Sequence, residues 1–273
     1  VAFAGGLGVS GMHPVFAVYS TFLQRTYDQI FHDVALQSSP VIFAIDRAGL
    51  VAGDGKTHQG LYDCSILSSI PGMEIYSPDS YDEMKRVFEK LFERGVMSAV
   101  RYPRGAEQSY DRSVYLYCED ESFAASDYGD MKSGSADITV ITYGRVSFEA
   151  ADAAVSFCNR HPGFSVRVIR LCRVYPVDGR MLLQYIQGTR VMYLLEEGIK
   201  SGGIAEKITA AVLPMFSDMQ SCESLPNVII HAVDNRFISH GSIESLYKEC
   251  GFTSEQLVKR FEEAIFHMPN LMN

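Results

Sequence analysis

Two cations, two acids, an imidazole and four glycines crowd the run DRAGLVAGDGKTHQG from Asp46 to Gly60. The run follows Pro40 to Ile45, a continuous apolar stretch of the kind buried on both faces of a parallel sheet. It therefore emerges at a strand's carboxyl end, where open α/β sheets bind ligands. Arg101 and Arg104 bracket Tyr102 and Pro103 at the end of another apolar strand, so with Arg47 three guanidiniums gather at adjacent strand ends. A planar guanidinium matches phosphate or carboxylate bidentately. Salt bridging with surface acids is the ordinary alternative and contributes little; placement beside a glycine-rich loop favours anion binding. His58 and Asp54 add groups suited to holding or moving a proton on a substrate oxygen.

Other candidate motifs fail on context. The glycines of Gly6-Leu7-Gly8-Val9-Ser10-Gly11 match GxGxxG, but a β-like run follows them where a dinucleotide fingerprint needs a helix. They read instead as the end of a helix turning into a strand. Gly55-Lys56-Thr57 lacks the glycine a P-loop requires, because position 50 is leucine. Gly53-Asp54-Gly55 resembles the opening of the metal-diphosphate motif of thiamine enzymes, which an asparagine about thirty residues later completes, and a hard cation needs several oxygen ligands. The first asparagine here is Asn159, so no magnesium site is expected from this motif. His13, His32, His161, His231 and His267 show no ligand spacing, while His240 sits in a glycine-bordered turn. No GxSxG elbow supports hydrolase chemistry.

The elements that position these residues alternate. The pattern predicts strand Val15 to Tyr19, a helix over Thr21 to Gln37, strand Val41 to Ile45, a short helix near Tyr62 to Ser68, strand Glu74 to Tyr76, a helix over Asp79 to Glu93 and strand Ser98 to Tyr102. Thr21 is placed to cap the long helix, with Leu23, Tyr27, Ile30, Phe31 and Val34 on its core face. A polar, turn-rich stretch between Arg104 and Ala136 then breaks the pattern. Alternation resumes with strands at Asp137 to Tyr143, Ser165 to Leu171, Arg190 to Glu196 and Val228 to Val233, separated and followed by helices. The expected fold class is α/β, with two consecutive doubly wound domains and mainly parallel sheets. The expected boundaries are a first domain over 1–118, a linker over 119–135 and a second domain over 136–273.

Composition bounds the function. The 273 residues are 47% hydrophobic and 21% charged, which is globular material. Net charge is -9, with 33 acids against 24 Lys and Arg, so neither nucleic acid nor an anionic membrane is expected as partner. Six scattered cysteines without a CxxC pair suggest a reduced, cytoplasmic setting. No apolar run approaches the roughly 20 residues of a membrane span. The start at Val1, without methionine, reads as a piece of a longer polypeptide.

A resemblance rests on these residues. The run Tyr19-Ser20-Thr21-Phe22-Leu23-Gln24-Arg25, with Asp46-Arg47-Ala48-Gly49, Asp54-Gly55, Thr57-His58-Gln59-Gly60 and Arg101-Tyr102-Pro103-Arg104-Gly105, resembles the 1-deoxy-D-xylulose-5-phosphate synthases, relatives of the transketolases. The likeness continues through Glu196-Glu197-Gly198 and Phe237-Ile238-Ser239-His240-Gly241. It implies a thiamine pyrimidine-binding domain followed by a transketolase carboxyl-terminal domain. It also implies an amino-terminal domain outside this sequence that holds the diphosphate of thiamine diphosphate and Mg2+. The implied reaction joins pyruvate and D-glyceraldehyde 3-phosphate, with loss of carbon dioxide, and feeds isoprenoid and thiamine precursors.

Carried over position by position, the resemblance sets Phe22 against the aminopyrimidine ring. It lines the substrate pocket with Tyr19, Arg25, Arg47, Asp54, His58 and Arg101, giving Arg47 and Arg101 the phosphate and His58 and Asp54 the proton handling. The family's activating glutamate lies just upstream of the segment matching Val1, so this chain alone is expected to be inactive, to bind cofactor negligibly and to work in a homodimer. Two other readings stay open: the β subunit of a thiamine-dependent 2-oxoacid dehydrogenase, and a non-catalytic scaffold module.

Overall fold

The computed structural model describes residues 1–108, 111–132, 134–217 and 225–266. Helix α1 (Ala2–Val9) packs its glycines against the segment 33–40, where a Cβ on Gly5 would meet the Asp33 carbonyl oxygen at 2.8 Å. The chain then turns at Gly11 into strand β1 (Val15–Tyr19), so Gly6 and Gly8 lie within a helix that leads into a strand, as the sequence context suggests.

The long helix expected over Thr21 to Gln37 is broken into unlike turns. It comprises α2 (Ser20–Leu23), a 3-10 turn over Gln24–Thr26, α3 (Tyr27–Gln29) and a π-helical stretch over Ile30–Ala35. Thr21 is not the cap: Tyr19 occupies that position and makes no side-chain capping bond. The changes of pitch still bury Leu23, Ile30 and Val34, while Tyr27 is turned outward and Phe31 is half-buried. Burial of the apolar face has overridden ideal helical periodicity here.

Next come β2 (Ile42–Asp46), a 3-10 turn at Gly55–Thr57, α4 (Asp63–Leu67), β3 (Glu74–Tyr76), α5 (Tyr81–Arg94) and β4 (Ser98–Arg101). Ser80 caps α5 by accepting from the Glu83 N–H, and Gly95 ends it in the left-handed region. In the second half run β5 (Leu116–Tyr117), β6 (Phe123–Gly129), β7 (Ile138–Thr142), α6 (Val146–Arg160), β8 (Ser165–Leu171), β9 (Arg173–Tyr175) and α7 (Gly179–Ile186). They are followed by β10 (Val191–Ile199), α8 (Ile204–Ser217), β11 (Asn227–Val233), α9 (Ile243–Cys250) and α10 (Ser254–Phe266).

The first sheet has the order β1-β2-β4-β3-β9 and the second β11-β10-β7-β8-β6-β5. Both are mainly parallel, and the fold is the expected α/β type. The segment read as a connection over 119–135 carries β6, which pairs antiparallel with β8 along its whole length. Its sequence, FAASDYG, is too poor in β-branched residues to announce a strand. β9 crosses over to pair antiparallel with β3, so the second half supplies an edge of the first sheet. One apolar cluster accordingly runs from Phe43 and Ile75 through Leu171 and Val174 to Leu194 and Val212. A buried ion cluster fastens the same seam: Arg170 on β8 donates to both oxygens of Glu83 on α5 at 2.9 and 2.8 Å.

Candidate active site

β1 and β2 pair in register with Tyr19 opposite Asp46, which brings their carboxyl ends level. Arg47, the first residue past β2, takes φ 60° and lays its guanidinium over the Tyr19 ring, 3.6 Å from the centroid. A residue other than glycine in that conformation is held there by its surroundings. The Asp46 carboxylate does part of the holding, accepting from the Arg47 N–H and from Nη1, each at 2.7 Å. Arg47 Nε lies 3.8 Å from Asp54 and is buried without a hydrogen-bond partner among the described residues. Its charge faces the Asp54 carboxylate from just beyond hydrogen-bond range.

Asp54 also accepts from Arg104 Nη1 at 3.0 Å, so one carboxylate bridges two guanidiniums. Beside them the rings of Tyr19 and Phe22 stack at 5.5 Å, and His58 meets Phe22 edge-on at 5.3 Å. His58 Nδ1 bonds the Thr57 hydroxyl at 2.9 Å, which leaves Nε2 as the ring's other polar atom. Phe22 keeps 46% of its surface exposed in the midst of this group. Arg47 and Arg104 also line a cavity of about 550 Å³ between the domains, with Tyr81, Met84, Arg145 and Phe148.

The loop between Gly49 and Gly60 is closed by a reciprocal pair of backbone bonds at 2.8 and 2.7 Å. A Cβ on Gly60 would lie 2.0 Å from the Arg47 carbonyl oxygen, so the approach of the two loop stems requires glycine. The second domain pins the loop from behind. Buried Glu197, at the end of β10, accepts from the Leu50 N–H at 2.7 Å and from the Tyr247 hydroxyl at 3.0 Å. Gln59 accepts from the Val51 N–H and donates to the Ser239 carbonyl, and Gly53 N–H donates to Gly241. Burial pushes the Glu197 pKa up, with the Leu50 N–H pulling the other way.

Not every expected residue joins this cluster. Arg25 is exposed on its 3-10 turn and makes no hydrogen bond or ion pair to it. Arg101 is the larger correction: it points inward, 3% exposed, and donates to both oxygens of buried Asp63 at 3.0 and 3.3 Å. Burial alone would lower its pKa, but Asp63 beside it raises it well above the ordinary arginine range. Its fork is occupied by Asp63 and not by the loop. Arg104, three residues past the strand end, is the one that meets Asp54 in the loop. Arg101 is still within β4, whose every residue is buried, whereas Arg104 follows Pro103 beyond the strand end and is exposed. Glu197 and Gln59 lie in runs that carry the resemblance, but their bracing roles depend on contacts between distant segments and are not predicted by the sequence alone.

Two family models divide the chain: the pyrimidine binding domain of transketolase matches residues 1–108, and the transketolase C-terminal domain matches residues 127–257. The chain belongs to the transketolase family. Curated relatives of this transketolase-like chain include the 1-deoxy-D-xylulose-5-phosphate synthases of Clostridium kluyveri and of Caldanaerobacter subterraneus. They are 36% identical over 95% and 96% of it. It spans 39% and 40% of their own lengths. Among solved structures, a split-gene transketolase described as an inactive beta4 tetramer aligns with a TM-score of 0.78 at 19% identity, covering 96% of this chain and 80% of that one. The transketolase of Campylobacter jejuni aligns at 0.69 and 13% identity, covering 94% of this chain and 37% of its own.

Transketolase-like domains imply dependence on thiamine diphosphate. The exposed Phe22 face, backed by Tyr19, fits one side of a heteroaromatic ring. No group of three or more His, Cys, Asp or Glu among the described residues could hold a metal ion. No helix among them is long and apolar enough to cross a membrane.

Proposed function

We propose that this chain forms the substrate-facing part of a cytoplasmic, homodimeric thiamine diphosphate enzyme. The enzyme joins pyruvate to D-glyceraldehyde 3-phosphate, releases carbon dioxide and yields 1-deoxy-D-xylulose 5-phosphate for isoprenoid and thiamine precursors. The observation that carries the reading is the convergence of Arg47, Asp54, Arg104 and His58 at one sheet edge beside the exposed Phe22 ring. It is joined to the relationship with the synthases.

The roles follow from the geometry. Arg47 and Arg104 receive the dianionic phosphate of the aldehyde, Arg47 through its charge at the edge of the cluster and Arg104 through its exposed fork. Asp54 keeps the two guanidiniums from splaying apart. His58, fixed by Thr57 at Nδ1, offers Nε2 to a substrate oxygen and can hold or pass a proton there. Tyr19 backs both Arg47 and Phe22, and Phe22 supports the pyrimidine ring. When bound, thiamine diphosphate supplies the electron sink that decarboxylation of a 2-oxo acid requires. Its diphosphate and Mg2+ are assigned to an amino-terminal domain beyond these residues. The chain by itself is therefore expected to turn nothing over.

The test combines this chain with an amino-terminal domain of a synthase, or uses the whole protein, and follows pyruvate-dependent carbon dioxide release with and without glyceraldehyde 3-phosphate. Formation of the five-carbon phosphate is expected. Transfer of the two-carbon unit to a lipoyl acceptor instead would point to the dehydrogenase β subunit, and no turnover with either acceptor would point to a scaffold.

A further inference from the structure

We infer that Arg145, the residue before α6 in the second domain, is a positioning residue that fixes the main chain at Arg104 and thereby sets where the Arg104 guanidinium meets the acceptor's phosphate. The inference rests on the assignment of Arg104 made above. Arg145 Nη2 donates to the Arg104 carbonyl oxygen at 2.6 Å. That carbonyl has no strand or helix partner, because β4 stops at Arg101 and the next regular element is the 3-10 turn at Arg112–Val114.

The neighbouring residues are shaped around the bond. Gly105 takes φ 121°, a conformation side chains rarely adopt, and a Cβ there would come within 3.1 Å of Arg145 Nη2. Arg145 is seated by the turn before it, where Gly144 takes φ 69° and its carbonyl accepts from the Ser147 hydroxyl at 2.6 Å. Among the described residues no carboxylate lies within ion-pair distance of Arg145, although its charge acts on buried Glu197 and favours that carboxylate's ionised form. Arg145, Arg104 and Arg47 share the wall of the interdomain cavity. The second domain thus lines the cavity with Arg145 and Phe148, and through the Arg145 bond it aims the Arg104 side chain.

The test uses Arg104→Ala, Arg145→Ala and Arg145→Lys in the complete enzyme, with each substrate varied in turn. Arg145→Ala is expected to raise the aldehyde KM about tenfold while leaving kcat and the pyruvate KM within about twofold. Arg145→Lys keeps one donor for the same carbonyl and is expected to recover the aldehyde KM to within about threefold. If Arg104→Ala raises the aldehyde KM and Arg145→Ala does not, or if Arg145→Ala harms both substrates equally, the positioning role is overturned. If Arg104→Ala itself is silent, the phosphate assignment fails and the inference falls with it. A second readout needs no activity: limited trypsin digestion of this chain should cut the Arg104–Gly105 bond about fivefold faster in Arg145→Ala. An unchanged cleavage rate would overturn the tether directly.

Discussion

Arg101 and Arg104 stand three residues apart, each faces an aspartate, and the two pairs live in different media. The side chains of Arg101 and Asp63 are 4% and 1% exposed, with two hydrogen bonds between them. Those of Arg104 and Asp54 are 53% and 34% exposed, with one. The first pair has surrendered its water and depends on its partner, so it is a fastener. The second keeps its water, exchanges it for a ligand at small cost, and shares its carboxylate with Arg47. Residue type alone would rank the two arginines as equals; surroundings make one structural and the other available for binding.

The contrast is easiest to break by removing one partner. Arg101→Ala leaves the Asp63 carboxylate buried and unpaired and should destabilise the protein by about 3–5 kcal/mol in urea unfolding. A loss as small as that of Arg104→Ala would show that the two pairs are equivalent. Gly60→Ala forces a methyl onto the Arg47 carbonyl and should cost about 1–3 kcal/mol while loosening the loop that presents Asp54 and His58. An unchanged unfolding midpoint would show that the stems part freely.

Glu197 tests the rear support through pH. Its folded pKa is raised by burial above an unfolded value of about 4.3, so the folded state holds the proton more tightly. Stability from this group is therefore fully present below the unfolded value and is lost as pH rises through the folded one. Glu197→Gln should flatten the fall of the urea midpoint across that window, although Glu196, also raised by burial, retains its own share. An identical pH slope in the variant would remove Glu197 from the account. The smallest stability effect belongs to Arg104→Ala, at most about 1 kcal/mol, although the same change should weaken aldehyde binding about tenfold.

Much of the site was legible because its chemistry is local. The loop from Asp46 to Gly60, its position after a buried strand, and the nearness of Tyr19 and Phe22 all follow from short-range pattern, and the structure gathers Tyr19, Phe22, Arg47, Asp54 and His58. The choice between Arg101 and Arg104 was not legible, since it depends on Asp63 arriving from α4 beneath the sheet. The broken helix after β1 was hidden for a similar reason: the apolar spacing suits a helix, and only packing against the sheet selects the π turn that buries Ile30 and Val34. β6 was missed because alanine, serine and aspartate carry little strand preference, and pairing with β8 imposes the conformation.

The sequence by itself determined the alternation of strands and helices, the anion-seeking loop and the kinship with the transketolases, because each is written in residues close together along the chain. The tertiary structure decided which arginine faces the ligand, which carboxylates are buried, and that Glu197, Gln59 and Arg145 brace the loop and its neighbour from behind. Those outcomes turn on dielectric surroundings and hydrogen-bond partners brought from 147 and 180 positions away, and neither is set before the two sheets are joined.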